Sequence, residues 1–288
     1  MSDDSIGYLL VGHGTRKPAG AEQLRRVFEQ LKPLLPPGRS AYCFLELAEP
    51  TIADAIEQLA QSGAQQLVVV PLLLFTAGHA IDDIPDAVAE ACSRFGVKVL
   101  HQTPSLGCDP AILRLSALRF RQAVCGVTDA PSSNEPFSVS PACDGRQCAA
   151  SHCGGSFCSQ AAMVFVGRGS KSADATSQMR RFAELRRNLT PVAWLQTSFL
   201  HGQEPDVTTA LEALAQTDHP IAIVQPHLLF EGLLMDELRQ RVAELQRAAP
   251  ERRWILVDTL GTDQALARAL AQLVHAARES VLAENYAS

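Results

Sequence analysis

Three side chains in the first half of the chain have the types and the placement that a metal site needs. His13 stands between two glycines at the end of an apolar run, Glu46 ends a second such run, and His79 follows a third. A neutral imidazole can bind a divalent ion and accept a proton, and a carboxylate adds negative charge. If the three runs are parallel strands, their ends share one edge of a sheet. The pattern predicts a divalent-metal site with open coordination positions.

Each of these residues also has an ordinary structural interpretation. The glycines around His13 are compatible with a tight turn that leaves the imidazole in solvent. Glu46 alone is typical of a solvated loop carboxylate, and His79 of a residue at the start of a helix. A phosphate-binding loop at His13 is a weaker interpretation, because neither Gly-x-Gly-x-x-Gly nor Gly-x-x-x-x-Gly-Lys-Ser/Thr occurs there.

A second cluster has the residue types of a thiolate metal site. Cys143, Cys148, Cys153 and Cys158 recur every five residues in a segment rich in Gly and Ser, with His152 among them. Thiolates hold structural zinc and iron-sulfur clusters. The spacing matches neither a zinc ribbon nor a ferredoxin, so a reduced linker and, less favoured, disulfides stay open as alternatives.

The elements that position these residues come from an internal repeat. A shift of 155 positions aligns, without a gap, residues 11–16 with 166–171, 44–50 with 199–205 and 71–75 with 226–230. Collinear matches over about 100 residues indicate two copies of one structural unit. The second copy has Arg168, His201 and Leu234 at the positions of the candidate ligands, so only the first copy is predicted to be catalytic.

Each copy alternates short apolar runs with helical periodicity, which predicts a parallel sheet with helices on both faces. The predicted strands of the first copy are 8–11, 41–45, 67–74 and 97–101, with a helix predicted over 83–95. The strands of the second copy lie near 163–166, 193–198, 221–225 and 254–257. We therefore expect an α/β protein with two tandem domains, each a parallel four-stranded sheet flanked by helices. The predicted domains are 1–125 and 161–288, joined by a Cys-rich linker, 126–160.

Composition narrows the class of protein. The 288 residues are 47% hydrophobic and 19% charged, with a net charge of -6 and no run of Lys or Arg, which argues against nucleic-acid or anionic-membrane binding. The longest apolar stretch, 67–75, is too short to cross a bilayer, and the first residues lack a basic region. These features predict a cytoplasmic protein.

In combination, the motifs resemble the class II chelatases that act on sirohydrochlorin, in the long two-domain form of the CbiX/SirB group. The resemblance covers both halves and rests on Gly12-His13-Gly14-Thr15, on Phe44-Leu45-Glu46 with Pro50, and on residues 71–79. It implies two chelatase-like domains and a lyase of EC class 4.99.1 that inserts Co²⁺ or Fe²⁺ into sirohydrochlorin, for cobalamin or siroheme synthesis. The residue types do not distinguish the two metals.

The resemblance also implies roles for single residues. His13 would be the proton acceptor and a metal ligand, His79 the second ligand, and Glu46 the acidic residue near metal and substrate. The residues implied to line the tetrapyrrole pocket are Leu74, Phe75, Thr76, Ala77 and Gly78. Arg16 is a candidate anchor for a substrate carboxylate, with a plain surface charge as an equal alternative.

Because short members of the group form dimers of single units, this chain is expected to be a monomer that acts as a pseudo-dimer. A metal-binding or delivery protein on the same fold, with the Cys segment as its main site, is the alternative function. A histidine phosphatase is a distant third, because that group places Arg before the histidine and this chain has Gly12.

Overall fold

A computed structural model of the chain describes residues 5–76, 78–125, 160–190 and 192–287. It contains two parallel four-stranded sheets flanked by helices, which confirms the predicted fold class. None of the helices in the described ranges is long and apolar enough to span a bilayer.

The first sheet has the strand order β2-β1-β3-β4. Its strands are β1 (Ile6–Gly12), β2 (Arg39–Phe44), β3 (Gln66–Pro71) and β4 (Lys98–Gln102). The helices of the first copy are α1 (Pro18–Leu31), α2 (Ile52–Gln61), α3 (Gly78–Phe95) and α4 (Pro110–Cys125). Every residue of β1 is buried, as the central strand of a sheet covered on both faces requires.

The second sheet repeats this topology with the order β6-β5-β7-β8. Its strands are β5 (Ala161–Gly167), β6 (Trp194–Phe199), β7 (Ile221–His227) and β8 (Arg253–Leu256). Its helices are α5 (Ala173–Arg187), α6 (Val207–Ala215), α7 (Leu233–Ala248) and α8 (Gln264–Ala287). The shared order in both sheets agrees with the duplication inferred from the sequence.

Two element boundaries in the first copy differ from the prediction by three or more residues. Strand β3 ends at Pro71 instead of residue 74, because the chain beyond it pairs with the loop after β4, where the Leu106 amide donates to the Leu73 carbonyl at 2.9 Å. Helix α3 begins at Gly78, five residues before the predicted start at 83, and accommodates Pro85 in its interior. His79 is therefore in the first turn of a helix.

The compact units of the structure do not coincide with the two sequence copies. One unit contains the described residues up to Ile112 and from Thr262 onward, and the other contains those from Leu113 to Gly261. Most of α4 thus packs with the second sheet and α8 with the first. The predicted domain boundaries follow the sequence repeat. The boundaries of the compact units differ because the last helix of each copy packs mainly with the other copy.

Specific contacts hold α4 in the second unit and α8 in the first. Phe120 and Val124 of α4 lie in an apolar cluster with residues of the second sheet. In the first unit, His275 Nε2 of α8 lies 3.0 Å from the Leu34 carbonyl oxygen, and the Gln30 side chain donates to the carbonyl of Thr262.

A buried polar network also connects α4 to the second sheet. The guanidinium of Arg186 donates to the side-chain and carbonyl oxygens of Ser116, to the side-chain oxygen of Gln225 and to Thr190. Gln225 donates to the same Ser116 carbonyl at 2.8 Å. Burial, and then the charge of Arg121, lower the pKa of Arg186 to about 9.

His227 lies beside this network at the end of β7. It is 2% exposed, and its ring stacks on Phe182 with ring centroids 4.0 Å apart. Burial, and then the charge of Arg186, lower the pKa of its imidazole from 6.5 to about 3. The corresponding residue of the first copy is Leu72, so the second unit has an imidazole where the first has an apolar side chain.

The buried imidazole predicts an acid-sensitive second unit. Below about pH 6.5 the unfolded chain takes up a proton at His227, whereas the folded chain stays neutral there until about pH 3. The contribution of the neutral imidazole to the free energy of unfolding is therefore complete above about pH 6.5. It is lost as the pH falls from 6.5 towards about 3. Between pH 7.5 and pH 5 the loss is expected to be about 2 kcal/mol in the free energy of unfolding.

The measurement is denaturant unfolding of the wild type and of His227→Leu, which restores the residue type of the first copy. The variant is expected to lose about 2 kcal/mol less than the wild type over this pH range. His201→Leu, at an exposed histidine, is the matched control and should keep the wild-type dependence. Equal pH dependence in wild type and His227→Leu would contradict the prediction.

Candidate active site

His13 and Glu46 meet at the carboxyl edge of the first sheet. Strand β1 ends at Gly12, which is opposite Phe44 at the end of β2. Pairing continues beyond the strands, since the Leu45 amide donates to the Gly12 carbonyl at 2.8 Å and the Glu46 amide to the His13 carbonyl at 3.1 Å. The backbone thus fixes the position of Glu46 beside His13.

The two side chains face each other at a distance suited to a shared ion. His13 Nδ1 lies 3.4 Å from Glu46 Oε1, and the side chains are 33% and 53% exposed. This separation is longer than a typical N–H···O hydrogen bond. Two ligands about 2.1 Å from one tetrahedral ion lie about 3.4 Å apart, so the distance between these atoms is compatible with binding of one divalent ion.

Gly14 permits this close approach of the two loops. Its φ is +103°, and a Cβ at this position would lie 1.7 Å from the carbonyl oxygen of Glu46. Only a residue without a side chain fits between the His13 turn and the Glu46 loop. The Gly-His-Gly sequence therefore has a steric reason as well as a chemical one.

The predicted tetrapyrrole-lining segment follows β3 and is tied to the loop after β4. Leu74, Phe75 and Thr76 are half-buried. The amide of Gly107 donates to the Leu74 carbonyl at 2.7 Å, and the hydroxyls of Thr76 and Ser105 lie 2.8 Å apart. Sequence reasoning did not single out Ser105, although the neighbouring Leu106-Gly107 pair recurs in the second copy as Leu260-Gly261.

The structure describes the other predicted site residues only in part. The backbone of Gly78 and His79 begins α3, but the His79 side chain and Ala77 lie outside the described residues. Arg16 is exposed. Among the side chains that are described, no group of three His, Cys, Asp or Glu residues could hold a metal ion. His13 and Glu46 thus lie together as a pair. Metal binding by this pair, and His79 as a further ligand, stay predictions.

The four clustered cysteines, Cys143, Cys148, Cys153 and Cys158, also lie outside the described residues. Within the described ranges, Cys43 and Cys92 are buried free thiols.

The second unit keeps the backbone of this site but not its chemistry. The Leu200 amide donates to the Gly167 carbonyl and the His201 amide to the Arg168 carbonyl, both at 3.0 Å. Leu234, at the position of His79, is partly buried against the apolar core. A guanidinium stays protonated and does not bind a metal ion at neutral pH, so Arg168 excludes a second copy of the ligand set.

Comparison with known proteins places these features in a family context. The sequence model of the CbiX family matches residues 7–123 and 162–277. The sirohydrochlorin ferrochelatase of Priestia megaterium is 28% identical over 92% of this chain and 88% of its own length. The sirohydrochlorin cobaltochelatase of the same organism is 26% identical, over 82% of this chain and 68% of its own.

Among solved structures, SirB from Bacillus subtilis with Fe³⁺ superposes with a TM-score of 0.75 and 26% identity, over 95% of both chains. The two segments matched by the family model coincide with the two sequence copies.

Proposed function

Because the chain belongs to the CbiX family, we propose that it inserts a divalent metal ion, Fe²⁺ or Co²⁺, into sirohydrochlorin. The observation that carries the proposal is the placement of His13 Nδ1 and Glu46 Oε1, 3.4 Å apart at an exposed sheet edge. Sirohydrochlorin chelatases for both metals occur among the similar proteins, and His and carboxylate ligands accept both. The product would serve siroheme or cobalamin synthesis accordingly.

Metal insertion requires the ion to shed water, the macrocycle to distort and two pyrrole N–H protons to leave. In our proposal, His13 and Glu46 bind the incoming ion as a substrate, and their partial exposure lets it exchange. As the ion transfers to the ring, its bond to the His13 imidazole breaks, and the imidazole accepts one pyrrole proton while solvent takes up the second. Glu46 balances part of the ion's charge before transfer.

The finer assignments of the site are also proposals. His79 would be a further metal ligand, since it is the second residue of α3. It directly follows the segment Leu74 to Gly78, which we propose lines the tetrapyrrole pocket. Arg16, exposed at the turn after β1, would anchor a substrate carboxylate. We further propose that the chain acts as a monomer, because it already contains two copies of the unit.

We also propose that Cys143, Cys148, Cys153 and Cys158 hold zinc or an iron-sulfur cluster distinct from the transferred ion. Four thiolates bind a soft ion too tightly for delivery to a macrocycle. This proposal rests on the sequence alone. Anaerobically purified protein that contains neither zinc nor iron with acid-labile sulfide would contradict it.

The experiment that tests the main proposal is an anaerobic insertion assay. Purified protein is mixed with sirohydrochlorin and Co²⁺ or Fe²⁺, and the change in tetrapyrrole absorption is followed beside a protein-free control. The expected result is multiple turnovers above the spontaneous rate with at least one metal. Binding of metal without consumption of tetrapyrrole would favour the alternative, a metal-delivery protein on the same fold.

A further inference from the structure

Leu47, which follows Glu46 in the chain, has a backbone conformation that its residue type disfavours. Its φ is +63°, and among the described residues it is the only one other than glycine with positive φ. A branched side chain in this left-handed region is uncommon, because its Cβ crowds the following carbonyl oxygen. Such a conformation persists only where the surrounding structure imposes it.

The second copy shows that the loop itself imposes this conformation. Gly202 corresponds to Leu47 and has a φ of +66°, within a few degrees of it. Both loops are closed by the same backbone bond, from Phe44 to Pro50 at 2.9 Å and from Phe199 to Pro205 at 3.1 Å. Glycine is the residue that fits this position without strain, and the unit without the ligand set has it.

Packing within the protein does not account for the leucine. Leu47 is 50% exposed, one of few large apolar side chains with that exposure in the described residues. It is also absent from the apolar cluster that covers this face of the first sheet, which its neighbour Leu45 joins. The first unit thus has an exposed isobutyl group, on a strained backbone, in the residue after Glu46.

We propose that Leu47 is a substrate-binding residue, whose side chain packs on the flat apolar face of the tetrapyrrole while Glu46 and His13 hold the metal. This inference rests on the proposed function and adds a residue to it. A macrocycle that receives an ion from His13 and Glu46 must lie against this edge of the sheet. An apolar side chain there recovers the burial that it lacks in the free protein.

Four variants separate this role from a structural one. Leu47→Gly removes both the side chain and the backbone strain, whereas Leu47→Ala removes most of the side chain and keeps the strain. Leu47→Met keeps a large apolar side chain at this position. Leu233→Ala is the matched control, because Leu233 is 68% exposed in the second unit. Thermal unfolding and the KM and kcat for sirohydrochlorin are measured for each.

Burying half a leucine side chain predicts that KM rises roughly fivefold to tenfold in Leu47→Gly and Leu47→Ala, with kcat changed less than about twofold. Leu47→Gly should unfold at the wild-type temperature or up to about 3 °C higher. Leu47→Met and Leu233→Ala should keep the wild-type KM.

A leucine kept only for stability gives the opposite pattern. In that case Leu47→Gly unfolds at a lower temperature and leaves KM unchanged, which would overturn the inference. If wild type does not insert metal at all, the proposed function fails instead. Direct titration of sirohydrochlorin without metal then tests Leu47 separately, through the same loss of affinity in Leu47→Gly and its absence in Leu233→Ala.

Discussion

Replacing His13 by alanine is expected to lower the rate of metal insertion at least a hundredfold, roughly the effect of removing a general base. The variant loses the proposed proton acceptor, which is also one of the two proposed metal ligands whose side chains the structure describes. The side chain is one-third exposed at the end of β1, so the fold should be unaffected. The rate is measured from tetrapyrrole absorption, and folding from denaturant unfolding.

Arg168→Ala is the matched control because Arg168 occupies the same position in the second unit. It follows β5 as His13 follows β1, and its backbone makes the same bond to the neighbouring loop. We expect its kcat to stay within about threefold of wild type, with any effect mainly on substrate affinity. A His13→Ala enzyme as active as Arg168→Ala would remove His13 from the mechanism.

The parts of the fold that sequence predicts are those governed by local pattern. Continuous apolar runs identify the buried parallel strands, and three-to-four-residue spacing identifies faces such as Leu24, Val27, Phe28 and Leu31 of α1, all of which are buried. The parallel arrangement then places the residues after β1 and β2 at one edge. The approach of His13 to Glu46 could be predicted for this reason.

Features that depend on distant partners could not be predicted in this way. The local pattern of α4 predicts an apolar face but does not indicate that this face packs against the second sheet. Arg186 of α5 and Gln225 of β7 are polar residues where the first copy has Leu31 and Val70, and such polar side chains are ordinarily placed in solvent. Ser116, from the other copy, accepts hydrogen bonds from both side chains and so helps to make their burial possible.

The positive φ of Leu47 could not be predicted from the sequence for another reason. Sequence patterns report which side chains are buried, but a positive φ is normally recognised by a glycine. The second copy has that glycine at position 202, so comparing the two copies by residue type could have raised the question. The shared conformation of the two loops is seen only in the folded structure.

Gly14→Ala is expected to damage both stability and activity, whereas Gly169→Ala should damage stability alone. The added Cβ would lie 1.7 Å from the Glu46 carbonyl oxygen in the first case and 1.8 Å from that of His201 in the second. Both positions also have positive φ, of 103° and 85°. We expect each variant to lose roughly 2–4 kcal/mol in the free energy of unfolding, from backbone strain and from the clash.

The two variants are expected to differ in activity because the displaced loops carry different residues. To relieve the clash, the Glu46 loop must move by more than 1 Å from the His13 turn, which breaks the 3.4 Å spacing of Nδ1 and Oε1. A displacement of that size lowers the insertion rate of folded Gly14→Ala roughly a hundredfold. In Gly169→Ala the same movement separates Arg168 from His201, and neither residue belongs to the proposed ligand set.

The two variants are compared by denaturant unfolding and by insertion rate per folded molecule, at a temperature where both are folded. Similar unfolding free energies with a large difference in rate are expected. Equal losses of rate would mean that the first unit is not the sole site of chemistry, and an undiminished rate in Gly14→Ala would mean that the spacing of His13 and Glu46 does not matter. Because the strain is matched between the two glycines, a difference in rate must come from the residues that each loop carries.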